Sequence, residues 1–144
     1  MNMLDIAIIV FIFLESLNVI TMYYFKESKL SNGPGIFNFY IDSKENEDNR
    51  LFAQYMINWV AGTKLIIIGL LLVILVFGSN QIKVYTMFMM GLTISSYYFK
   101  LHPIIKKLDQ HNQITPKGYS KALGWMITAF ILLFVITAII YVIG

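Results

Sequence analysis

Cysteine does not occur in the 144-residue chain, which removes disulfides, thiolate metal sites, CxxC redox chemistry and cysteine nucleophiles together. Charge is scarce as well: Asp, Glu, Lys and Arg make up 13% of the residues and sum to a formal +3. Nucleic-acid binding needs a basic stripe that can neutralise several phosphates, and most of the basic residues instead flank apolar blocks. No Gly-rich phosphate loop, GxSxG or HExxH motif is present, and there is no internal repeat or low-complexity segment.

What the chain has in excess is apolar surface. Hydrophobic residues make up 58% of it and the mean hydropathy is +0.68, more than a small globule could bury. Four blocks are long enough to span about 30 Å of hydrocarbon, which takes roughly 20 helical residues. They run from Leu4 to Phe25, Met56 to Phe77, Ile82 to Leu101 and Ala122 to Ile143. Runs such as "LIIIGLLLVILVF" are apolar on every face, which favours helices over the alternating strands of a barrel. The expected fold is all-α, a single polytopic membrane domain built as a four-transmembrane-helix bundle. The leader "MNMLD" is acidic and no small-residue cleavage site follows the first block, so that block is expected to remain as a span.

Basic residues outside the spans set an expected orientation. The first connection holds Lys26, Lys29, Lys44 and Arg50, and the third holds Lys100, Lys106, Lys107, Lys117 and Lys121, whereas the other side has Lys83. Both long connections are therefore expected in the cytoplasm, with both termini outside and the plasma membrane as the location. The lysines of the third connection are expected to contact anionic lipid headgroups. Asp42 or Ser43 is expected to cap the helix leading into the second span, and Thr115-Pro116 to restart a helix ahead of the fourth. The aromatic run from Ile36 to Ile41 is too short to span and is expected at the interface or against the bundle mouth.

Inside the blocks, the polar residues carry the information. Glu15 lies near the middle of the first span, where an acidic residue costs about 2.5–3.5 kcal/mol, so it should face protein. Asn18 and Thr21 follow at spacings of three and form with it a stripe covering about 120° of the helix. Lys64 is the other intramembrane charge, displaced from Glu15 by only about 3 Å in depth. The two either pair or leave Lys64 to snorkel to the cytoplasm. Asn58, Thr93 and Ser96, with Thr63, Ser95, Tyr97, Trp125 and Thr128, crowd the same half of the chain's depth, as a polar vestibule or as packing glue and interfacial belt. Ala61, Gly62, Gly69 and Gly91 permit close helix approach. His102, Asp109 and His111 are the one group of acid-base or metal-ligand types, at a spacing that matches no metal motif, so neither a metal nor a cofactor is expected.

A carboxylate in the first of four helices, "FLESLNV", resembles the positional signature of small multidrug resistance transporters. That resemblance extends over about one helix and implies proton-for-cation exchange at Glu15 in a dimer. The chain departs from that pattern in its long polar first connection, in Lys64, and in a third span without a Gly-rich kink. Two functions are then expected from the residues: an oligomeric ion or small-solute transporter or channel built on Glu15, or a non-catalytic scaffold or regulator of a membrane complex in which Glu15 and Lys64 form a structural ion pair. The partners expected are the lipid bilayer and a second copy or another membrane protein; a lipid-modifying enzyme using His102, Asp109 and His111 ranks third, behind these two non-enzymatic readings.

Overall fold

The computed structural model describes residues 2–29 and 33–144; positions 30–32, inside the first connection, lie outside the described set. It is all-α, with helices α1 (Met3–Tyr24), α2 (Asn38–Asp42), α3 (Glu47–Phe77), α4 (Asn80–Lys100), α5 (His102–Gln110) and α6 (Tyr119–Ile143). Among the described residues there is no strand beyond a single antiparallel bridge, Phe37 with Ile114.

Local side-chain caps set the starts of α1, α3 and α4. Asn2 and Asp5 form a reciprocal capping box at α1, each side chain accepting the other's backbone N–H at 3.0 Å. Ser79 caps α4 by accepting from the Ile82 N–H at 3.3 Å. The start of α3 lies later than Asp42 or Ser43: Asn46 caps it, accepting from Asn49 N–H at 3.1 Å. Ser43 is used elsewhere, because its hydroxyl donates to the Tyr40 carbonyl at 2.7 Å and closes the turn after α2. Glu47 and Asp48 then occupy the first turn of α3, where the helix dipole favours anions. Likewise α6 begins at Tyr119 rather than at Thr115-Pro116. Thr115 is committed to the first connection, its N–H donating to the Ile36 carbonyl at 2.8 Å.

The long helices pack with alternating directions. α1 and α4 start side by side, where the Asn2 amide donates to Asn80 at 2.8 Å, and α3 and α6 run the opposite way. One core fills the half nearest the Gly78-Ser79 turn, with Leu4, Ile8, Met87 and Phe134 fully buried. Phe11 stacks edge-on against Phe130 and Phe134 at 5.3 and 5.2 Å. A second cluster joins α1 to α3 through Val19, Met22, Ile57, Ala61 and Ile68. A third, at the far end, gathers Ile36, Tyr97, Ile105, Ile114 and Leu123. The two long connections thus fold onto each other, tied further by the Asn38 N–H donating to the Gln113 carbonyl at 2.9 Å. Of the aromatic run, Ile36 is buried in this cluster while Phe39 and Ile41 stay exposed.

Large apolar side chains also cover the outside, including Phe13, Ile66, Leu70 and Leu92. Three helices, α1, α3 and α6, are long and apolar enough to cross a membrane, and they suggest a membrane protein. The expected fourth span is not their equal. α4 has the length, at 21 residues, but Lys83, Thr86, Thr93, Ser95, Ser96 and its tyrosines dilute its hydropathy below theirs.

Candidate functional site

The side chains of α1 and α3 that face one another follow alternating spacings of three and four. On α3 these are Ile57, Ala61, Lys64 and Ile68; on α1, Ile12, Glu15, Val19 and Met22. Such a seam holds each residue against the neighbouring helix. Glu15 and Lys64 occupy seam positions among apolar residues, and the fully buried Ala61, one turn from Lys64, lets the backbones approach. The Lys64 ammonium consequently donates to Glu15 Oε2, with the side chains 23% and 19% exposed respectively. Pairing, not snorkelling, is what the structure displays.

This pair lines a cleft of about 350 Å³ between α1, α3 and α6. Leu14, Leu17 and Asn18 come from α1, and Met126, Ile127 and Phe130 from α6. Asn18 is 7% exposed and its side-chain oxygen is buried without a hydrogen-bond partner. An unpaired buried acceptor is costly, and native structures keep few of them.

The other polar residues of the long helices do not join this cleft. Thr21 turns its hydroxyl back to the Leu17 carbonyl at 3.0 Å. Thr63 donates to Trp59 O at 3.0 Å, Thr93 to Met89 O at 2.9 Å, and Ser95 to Gly91 O at 2.7 Å. Asn58, Thr93 and Ser96 lie on the exposed surface. Tyr98 donates to the Gly124 carbonyl at 2.8 Å and bonds to the Thr128 hydroxyl, joining α4 to α6.

Sequence reasoning missed a second interhelical pair. Lys83, read as a lone external base, is 7% exposed and donates to Asp5 Oδ1 at 2.6 Å. The signal was available: both residues lie in the first turns of their helices, so parallel packing puts them at one depth. α1 is therefore joined to α3 by one ion pair and to α4 by another.

At the opposite end, Asp109, His102 and His111 separate. Asp109 reaches from α5 to cap α6: Oδ1 accepts the Gly118 N–H at 2.8 Å, and Oδ2 accepts the Ser120 hydroxyl at 2.6 Å and N–H at 3.1 Å. The Ser120 hydroxyl, the two N–H groups and nearby Lys117 hold this carboxyl below its ordinary value against the opposing effect of burial. The His102 ring packs on Tyr97 and Tyr98 with centroids 5.7 and 5.6 Å away, while His111 is exposed. Lys100, Lys106, Lys107, Lys117 and Lys121 are all exposed around this end. The chain matches no protein-family model, no curated protein and no solved structure.

Proposed function

We propose that this is a small integral membrane protein that crosses the bilayer four times and serves as a non-catalytic helical scaffold or regulator within a membrane complex. What carries this reading is the double fastening of α1: Glu15 to Lys64 of α3, and Asp5 to Lys83 of α4. Two ion pairs at different depths fix both the rotation and the register of a helix, a role polar groups serve well where the hydrophobic effect does not discriminate between neighbours. The core beyond Glu15 supports it too, since Phe11, Phe130 and Phe134 fill that half with aromatic rings. α4 serves as the fourth span with its lysine neutralised and several hydroxyls bonded to carbonyls, as in Thr86 to Ile82 at 2.8 Å. The lysine-rich end faces the cytoplasm of a cell whose plasma membrane the protein occupies, by the charge asymmetry of its connections.

The cleft at Glu15 favours a second reading, an ion or small-solute transporter or channel whose carboxylate responds to protons or cations, in one copy or several. Glu15→Gln separates the two. A scaffold loses stability and regains it when Lys64→Met is added; a transporter loses flux in proteoliposomes with its fold intact.

A further inference from the structure

We propose that the cleft between α1, α3 and α6 binds an uncharged amphiphile with a hydroxyl head, taken up sideways from the bilayer. Its volume, about 350 Å³, falls in the range of small-molecule sites, about 300–1,000 Å³. Its rim is apolar and open, formed by Leu14, Leu17 and Met126, which are 42%, 44% and 40% exposed. Its depth is polar and specific. There Asn18 lines the wall with its oxygen enclosed and its amide N–H group left to the cleft, and Lys64, bonded to Glu15, retains further N–H donors.

Charge then selects the ligand. Glu15 and Lys64 neutralise each other, so a cationic head would be placed beside Lys64 and an anionic head beside Glu15, in a medium where such contacts are weakly screened. A hydroxyl avoids both penalties. It donates to the Glu15 carboxylate and accepts from Lys64 and the Asn18 amide, leaving its hydrocarbon against Leu17, Ile127 and Phe130 and trailing into lipid. This rests on the membrane placement proposed above, and not on the scaffold role.

The test uses the full chain in lipid nanodiscs with a diazirine-bearing dodecanol as photolabel and adducts mapped by mass spectrometry. Labelling of the outward-facing Phe13 and Ile66 reports membrane embedding; labelling of Leu17 and Met126 reports the cleft. Cleft adducts are expected to be displaced by excess dodecanol but not by dodecane, dodecylammonium or dodecanoate, while those at Phe13 and Ile66 persist. Asn18→Leu is expected to lower cleft labelling about tenfold, as loss of a buried hydrogen-bond partner would. Leu17→Phe, at the rim, is expected to abolish it even if the Asn18 variant does not fold. Displacement by dodecane as readily as by dodecanol, preference for either charged head, or full labelling of Asn18→Leu overturns the assignment. So does cross-linking of a second copy through Leu17 and Met126 with no alcohol adduct. Absence of adducts at Phe13 and Ile66 overturns the membrane placement itself.

Discussion

Replacing Glu15 by Gln leaves Lys64 charged in a seam position between Ala61 and Ile68 with no anion opposite. Removing one partner of a fully buried pair costs about 3–5 kcal/mol, mostly because the survivor is an uncompensated charge. Here the two side chains keep 23% and 19% of their exposure, and the lysine stem can partly reach for solvent. We therefore expect about 2 kcal/mol for Glu15→Gln and a similar loss for Lys64→Met, a shift of about thirtyfold in the folded ratio. The double variant carries no charge in the seam and is expected within about 1 kcal/mol of the wild type. The coupling is then at least about 3 kcal/mol, at the upper end for residues in contact. Reversible unfolding in mixed micelles, followed by helicity, measures the cycle. A Glu15→Gln protein within about 0.5 kcal/mol of wild type, or a double variant costing the sum of the singles, would refute the locking role.

Other expectations follow from the same geometry. Asp109→Asn, which loses the charge that caps α6, is expected to cost about 1–2 kcal/mol in the same unfolding assay. Because the folded carboxyl is held below its ordinary value of 3.8, its contribution is complete above that value and disappears as the pH falls further through the folded pKa; the variant's deficit should vanish there. Gly35→Ala would drive a methyl into the backbone carbonyl of Glu27, so a loss of about 1–3 kcal/mol is expected, with faster tryptic cleavage at Lys26 and Lys29. Since the chain has no cysteine, single Ser79→Cys and Lys107→Cys variants can be labelled without background. The first should react with an impermeant maleimide on intact cells and the second only after permeabilisation; the reverse pattern would invert the proposed topology.

Much of the long-helix framework was legible along the chain because hydropathy is a running sum. The blocks beginning at Met56 and Ala122 are contained in α3 and α6, and the one beginning at Leu4 overruns α1 by a single residue, Phe25. Helix starts were less legible, since a cap depends on which of several candidates the backbone uses. Ser43 and Thr115 have suitable side chains, yet one closes the turn after α2 and the other ties the two connections together. The cap of α6 comes from Asp109, nine residues before Gly118, and spacing along the chain does not identify it.

The charged residues divide the two kinds of information most clearly. Sequence alone determined that Glu15 and Lys64 lie at similar depths in apolar helices, and that isolated charges there would be costly. In the fold Lys64 shares a face of α3 with Ile57, Ala61 and Ile68. Only the tertiary structure decided what stood opposite that face. Helix direction and neighbour choice bring Lys64 to Glu15 and Lys83 to Asp5, and turn Thr93 and Ser96 outward. Depth is a property of one helix, whereas partnership and the empty space beside Asn18 depend on how three helices meet.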